Sequence, residues 1–419
     1  MIKLLFCPAK YEGSIGEVTN ARLFYKQLPP DKYECYFLVN NESKKYINHL
    51  GVQTLNFNEI INKKFDIIII SDYYPFVRSI IEKTCNEKEK KVYEYLFSLN
   101  IPVFVIDVLG LYGNLIIDNL KHQCVASKLC LKPYNIKCNP VSCNPVNFHI
   151  LYPCPPHTPC LPKAQNCHFV PLEHFPAESL EKNNVKTIFM AISNWEYELM
   201  KKHGKGIYPL ILEKLLIHCL LKLDKKINLI IVTPSHLYFD YSIENINVKH
   251  ILISSENFIP LKEYENIFFS ADLIITNNII QSTFMRAIYS GIPGLNFTSS
   301  LPVKRIDKDT YKIIPSFPLN SFTCEMLDIM EATSPLLASS INNICAGEFF
   351  IFRYNLTPLY QQLFSFCEIL DEKRMVNLIY NYLYDENTKL TFNKNRKNYI
   401  NAISKLQSID AIIESKLKK

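Results

Sequence analysis

No apolar stretch of this 419-residue chain approaches the ~20 residues that a membrane-spanning helix needs. The longest candidate, residues 208–223, is interrupted by Glu213, Lys214, His218 and Lys222 and reads as a buried helix. The GxGxxG spacing of dinucleotide-binding turns and the GxxxxGK[ST] phosphate loop are both missing, so neither nicotinamide nor ATP use is supported. There is no paired CxxC, no zinc finger, no RNA-binding signature and no internal sequence repeat. The net charge of +6 is modest, and no nucleic-acid partner is expected. The late cluster of Lys389, Lys394, Arg396, Lys397, Lys405, Lys416, Lys418 and Lys419 reads as a solvated helix face. The opening MIKLLFCPAK has a short apolar core and no small-residue cleavage site after it. It reads as a first strand, which makes a cytoplasmic location the expectation.

What is present is an alternation. Apolar residues make up 48% of the chain, enough for ordinary globular cores, and its length calls for two domains of about 150–200 residues. Buried strands are expected at residues 2–8, 36–40, 65–70 (FDIIII) and 101–108 (IPVFVIDV), with helices over 17–28 and 76–99 between them. Residues 121–176, dense in Pro, Cys and His, break this rhythm and read as an irregular excursion. Strands then recur at 186–192, 228–232, 250–254, 273–276 and 294–297, with helices at 208–223, 264–269 and 282–290. Beyond about residue 335 the pattern is helical, including 359–370 and 374–384. Strands alternating with helices favour parallel sheets covered on both faces. The expected organisation is an α/β chain of two Rossmann-like domains facing each other across a cleft. Residues 1–180 form the first and 181–335 the second, with a helical segment, 336–419, packing across them.

Ligands of open parallel sheets lie beyond the carboxyl ends of the strands. In the first domain that edge would present Gly13–Gly16, Glu17, Ser71-Asp72 and Asp107. Gly16 lets the backbone approach a bound group closely. Glu17, at a helix start, is either a favourable charge at the positive helix end or a base for a substrate hydroxyl. Asp72 and Asp107 either cap the next element or line the cleft. In the second domain the edge would present Ser193-Asn194, the Lys205 loop, Asn277-Asn278 and Gln281-Ser282-Thr283. A phosphate there would meet unpaired helix N–H groups, hydroxyl donors and Lys205 or Arg286. The bland alternative is that Ser282 or Thr283 is an ordinary helix cap.

Seven of the 14 cysteines fall within residues 121–176, among five histidines. Cys154, His157, Cys160 and Cys167 are the candidate ligands for a structural zinc. Unligated thiols, or disulfides in an exported protein, account for the same residues.

Residues 271–297, ADLIITNNIIQSTFMRAIYSGIPGLNF, resemble the donor-site unit of the two-Rossmann-domain (GT-B) nucleotide-sugar glycosyltransferases. The shared features are a strand introduced by Ala-Asp, a polar turn, a Ser/Thr-headed helix, and Gly-Ile-Pro before the next strand. Residues 13–28, GSIGEVTNARLFYKQL, are similar to that family's glycine loop and following helix. The resemblance implies sugar transfer from a nucleotide-diphosphate donor to a small-molecule, peptide or glycan acceptor. No cofactor or tightly bound metal is implied for catalysis. It would make Glu17 the catalytic base, and Asp72, read from its place at a strand end, is the second candidate catalytic carboxylate. Gly16, Asn194, Lys205, Asn278, Gln281, Ser282, Thr283 and Arg286 would hold the donor. Where the family often carries an acidic residue in the donor-site helix, this chain has Met285-Arg286. Where its turn often carries glycines, Asn277-Asn278 stand. Other readings of the same scaffold are a sugar-nucleotide epimerase or synthase, and a non-catalytic nucleotide- or partner-binding protein.

Overall fold

The computed structural model describes residues 1–8, 16–39, 51–71, 98–108, 148–155, 166–172, 184–192, 208–234, 245–252, 259–278, 281–298, 303–306, 311–333 and 358–417, with 44, 47, 95 and 96. The chain divides into two compact units, Met1–His174 with Asn401–Lys419, and Phe175–Ile400.

The first unit is built on β1 (Ile2–Cys7), β2 (Tyr33–Leu38), β3 (Gln53–Leu55), β4 (Ile67–Ile70), β5 (Val103–Ile106), β6 (Phe148–Cys154) and β7 (Cys167–Pro171). They form one sheet in the order β3-β2-β1-β4-β5-β6-β7, and all its ladders are parallel. A strand such as β4, four isoleucines all buried, fits only where both faces are covered. Helix α1 (Gly16–Tyr25) follows β1, and α2 (Phe57–Ile60) starts at a capping box made by Asn56 and Glu59. Residues 121–176 were expected to be irregular, yet β6 and β7 lie within them. Their His and Cys residues serve as core groups: His149 stacks on Phe104 with ring centroids 5.0 Å apart, and Cys154 and Cys167 are buried. The expected helix over 76–99 falls almost wholly outside the described residues.

The second unit is built on β8 (Lys186–Ala191), α3 (Tyr208–Leu221), β9 (Ile227–Thr233), β10 (Ile246–Leu252), α4 (Leu261–Phe269), β11 (Leu273–Thr276), α5 (Ser282–Ser290) and β12 (Gly294–Thr298). The antiparallel hairpin β13 (Val303–Arg305) and β14 (Tyr311–Ile313) follows, then α6 (Ser321–Thr333), α7 (Pro358–Gln361), β15 (Phe364–Glu368), α8 (Glu372–Tyr384) and α9 (Glu386–Ile403). The sheet runs β10-β9-β8-β11-β12-β15, again parallel throughout. One face buries Leu273, Ile275, Leu295 and Phe297 in a cluster with side chains of α3, α6 and α8. On the other face α5 lies close over Gly294, where an added Cβ would sit 2.6 Å from the Phe284 ring. Gly291, at φ 104°, ends α5 in the left-handed conformation that favours glycine. A helix was expected over 359–370. The chain there makes only the short α7 and then β15, because FSFCE can extend the exposed edge of β12, pairing Gly294 with Phe364 and Thr298 with Glu368.

After α9 the chain returns to the first unit with α10 (Ile409–Leu417). Asp410 accepts from Lys32 Nζ at 2.7 Å and from the Tyr33 hydroxyl at 2.5 Å, and Glu414 also pairs with Lys32. Among the described residues no helix is long and apolar enough to cross a membrane.

One buried acid in the second unit gives a pH signature. Glu213 on α3 is 1% exposed, and His250 Nε2 stands 2.8 Å from its Oε1. Burial pushes its carboxyl up to about 7. A group raised on folding contributes stability that is whole below its unfolded value of about 4.3 and is lost as pH rises through its folded value. The wild-type thermal midpoint is therefore expected to fall between about pH 5 and about pH 8 more steeply than that of Glu213→Gln. The difference should approach ~3 kcal/mol at the alkaline end. Scanning calorimetry across pH reads this directly; parallel curves would mean that His250 fully compensates the ionised carboxylate.

Candidate functional site

In the second unit the chain adds β9 and β10 on one side of β8 and then returns to add β11, β12 and β15 on the other. Between β8 and β11 the connections leave in opposite directions, which opens a crevice at the carboxyl ends of these two strands. Gln281 spans it. Its Nε2 donates to the carbonyl of Ala191, the last residue of β8, at 3.2 Å. On the β11 side the Thr276 hydroxyl lies 3.3 Å from Gln281 Oε1 and accepts from the Asn278 N–H at 2.9 Å.

Gln281 is also the N-cap of α5, with extended backbone and no side-chain hydrogen bond to the helix. Its amide is committed to the bridge, so the N-cap side chain does not occupy the first N–H groups of α5. The expected alternative, a Ser282 or Thr283 cap, is replaced by this arrangement. Thr283 instead meets the Tyr264 hydroxyl of α4 at 3.0 Å. Burial raises that phenol to about 12, so it stays protonated at neutral pH.

Arg286 is 5% exposed. Its Nη2 pairs with Glu265 Oε1 at 2.6 Å, and the guanidinium lies 5.2 Å from the Phe268 ring centroid and 5.6 Å from that of Phe269. This cation therefore ties α5 to α4. Further along the carboxyl edge, Asn277 and Asn296 are fully buried, and neither amide has a hydrogen-bond partner among the described residues. The Thr298 hydroxyl donates to Glu368 Oε1 at 3.1 Å at the ends of β12 and β15.

Gln281, Ser282, Thr283, Asn278 and Arg286 thus belong to one turn and helix. Asn194 and Lys205 lie outside the described residues. Asn296 and Glu368 were not singled out from sequence. The signal for Asn296 was there, a lone amide inside the apolar run GLNF, whereas Glu368 was hidden by the helical reading of its segment.

In the first unit the corresponding edge joins β1 and β4, with Ser71 N donating to the Cys7 carbonyl at 3.2 Å. Gly16 and Glu17 open α1 just beyond β1. Asp72 lies outside the described residues, immediately after Ser71. Asp107 is 1% exposed, and its N–H donates to the Leu151 carbonyl.

Of the candidate zinc ligands, His157 and Cys160 lie outside the described residues. The β6–β7 register pairs Ile150 with Cys167, which puts Cys154 four residues further along the ladder, about 13 Å away. Two thiolates bound at ~2.3 Å to one zinc cannot be that far apart. Among the described residues no three His, Cys, Asp or Glu side chains are grouped to hold a metal.

The paired parallel sheets decide the architecture. The fold is GT-B-like. A spinosyn forosaminyltransferase, SpnP, is similar over 100% of both chains, with a TM-score of 0.57 at 11% identity. The spinosyn rhamnosyltransferase SpnG, complexed with thymidine diphosphate, is similar over 100% of both chains, with a TM-score of 0.50 at 11% identity. The glycotransferase of kitacinnamycin covers 99% of this chain and 98% of its own, with a TM-score of 0.52 at 10% identity. By sequence, residues 177–333 match DUF6365, a family of unknown function. No curated protein matches the chain.

The α4–α5 pairing has a measurable consequence. Glu265→Leu would leave a buried guanidinium without this carboxylate, a loss of about 3–5 kcal/mol for a broken buried pair. The double variant Glu265→Leu, Arg286→Met should recover most of that loss. Chemical denaturation of the three proteins checks it, and a double variant no more stable than the single one contradicts it.

Proposed function

We propose that this protein is a glycosyltransferase that takes a sugar from a nucleotide-diphosphate donor without a tightly bound catalytic metal. The observation that carries the reading is the start of α5. It stands at the β8–β11 crevice with its first N–H groups not capped by the N-cap side chain, which is committed elsewhere. Helix starts of this kind favour anions, through both the free donors and the helix dipole. The fold is shared with sugar-transferring enzymes, one of them seen with thymidine diphosphate.

In this reading the diphosphate lies against the α5 start, with Ser282, Thr283 and Asn278 around it, and Lys205 and Asn194 are the further residues proposed to hold it. Arg286, balanced by Glu265, serves by fixing α5 in place. The acceptor meets the first unit, where Gly16 permits close backbone approach and Glu17 takes the proton of the attacking hydroxyl, Asp72 being the second candidate carboxylate. The acceptor oxygen forms its bond to the anomeric carbon as the bond to the diphosphate oxygen breaks, and the electron pair leaves with the diphosphate. Donors already positioned at the α5 start stabilise that charge as it develops.

Calorimetric titration with uridine, thymidine, guanosine, adenosine and cytidine diphosphates tests the donor half. At least one is expected to bind, and failure of all five overturns the reading. For the catalytic half, Glu17→Gln should lower turnover of the binding donor by about 10²-fold or more while leaving nucleotide affinity unchanged. Equal turnover in the variant would remove Glu17 from the mechanism.

A further inference from the structure

We propose that the carboxyl edge shared by β11, β12 and β15 is a subsite for a polyhydroxyl group, the sugar of the donor, and that Asn296 determines its specificity. This deepens the function proposed above and rests on it. The starting observation is a pair of amides. Asn277 and Asn296 are both 0% exposed, and for each of them neither Nδ2 nor Oδ1 has a partner among the described residues. Buried side-chain amides are ordinarily satisfied, so two orphans on adjacent strand ends call for a partner from outside the described framework.

Their placement is fixed by register. Asn296 pairs with Thr276, so it shares a sheet face with Thr276, with Gly294 two residues before it and with Thr298 two residues after. That face is the one α5 covers, since Phe284 and Ile288 close over Gly294. Asn296 is thus nearer the carboxyl edge than the Phe284 contact, on the side of the first turn of α5. Asn277 follows directly after β11, and Thr298 with Glu368 closes the edge at β15.

The chemistry of the donor set selects the ligand. Phosphate oxygens at neutral pH accept hydrogen bonds, so a phosphate would satisfy the two Nδ2 groups and leave both Oδ1 atoms facing negative charge. Glu368 adds a carboxylate, which also only accepts. Sugar hydroxyls each donate and accept, and vicinal hydroxyls match a side-chain amide on both of its ends. The edge therefore divides in function. The uncapped start of α5 suits the diphosphate, and the amide and carboxylate ends of β11, β12 and β15 suit the hydroxyls attached to it.

Asn296→Leu replaces the amide by an apolar side chain of similar size and is the deciding variant. The probes are uridine and thymidine diphosphates, each alone and as its glucose, N-acetylglucosamine and rhamnose conjugates. Nucleotide affinity is expected to stay within about twofold of wild type, while affinity for the preferred conjugate falls about tenfold or more. The thermal midpoint should hold or rise, because an unsatisfied buried amide is removed. Asn277→Leu, the same change just beyond the neighbouring strand β11, should act in the same direction and serves if the first variant does not fold. Equal changes for nucleotide and conjugate, or a lower midpoint with an unchanged affinity ratio, would make these amides structural and overturn the subsite. Absence of nucleotide binding in the unaltered protein would overturn the function proposed above and this subsite together, and is seen before any variant is made.

Discussion

The second unit depends on a single crossing. Its sheet grows outward from β8 in two directions, and the two halves diverge at the strand ends, where ladder hydrogen bonds no longer hold them. Gln281 supplies the link that the backbone cannot, from the turn after β11 to the last carbonyl of β8. A side chain used in this way is unavailable to cap its own helix. The crevice that the topology creates and the open helix start that lines it therefore share one cause. Shortening Gln281 to a conventional Ser or Asp cap would close the helix end and break the bridge at once.

Around that crossing the packing is strict where it positions α5. Gly294 is small because the Phe284 ring occupies the volume its side chain would need, and Gly291 is left-handed so that the chain can turn from α5 into β12. On the other side Tyr264, Glu265, Phe268 and Phe269 bring α4 against α5 through one hydroxyl contact, one ion pair and two ring faces. An ion pair this buried stabilises little compared with well-packed apolar residues. Its value lies in fixing the rotation and height of a helix whose first turn must face the crevice.

The strands of both sheets were largely legible, because a four-residue run such as IIII has only one comfortable setting. β11 and α5 occupy residues 273–276 and 282–290 as expected, since Gly291 and Pro293 mark the exit and a polar turn marks the entry. Two strands inside residues 121–176 were not legible. Histidine and cysteine read as polar or metal-binding in isolation, yet His149 and Cys167 are as buried as the leucines beside them. β15 was lost for a different reason: a strand at a sheet edge exists by virtue of its neighbour, and β12 lies about seventy residues earlier in the chain, as in the Thr298–Glu368 contact. Within the site, sequence located the turn and the helix start. It could not reveal that Arg286 is matched by Glu265, a partner on a separate helix.

Buried polar groups are unevenly placed in the second sheet. Core positions of the second sheet are mostly Ile, Leu, Val, Phe and Met, which need no partners. Of the buried polar side chains of the second sheet, Thr187 lies near the start of β8, whereas Thr233, Thr276, Asn277, Asn278, Asn296 and Thr298 lie towards the carboxyl ends. A sheet stabilised for its own sake would replace buried amides that lack partners, because each unsatisfied group costs about 1–3 kcal/mol. Thr276 and Thr298 are engaged with neighbouring side chains, so this edge can satisfy a hydroxyl locally. Asn277 and Asn296 are left open on the same edge. Thr233 and His168 also carry buried polar atoms without a partner, but among the described residues both orphaned amides stand at this one edge, where a partner that arrives with the ligand would serve the two together.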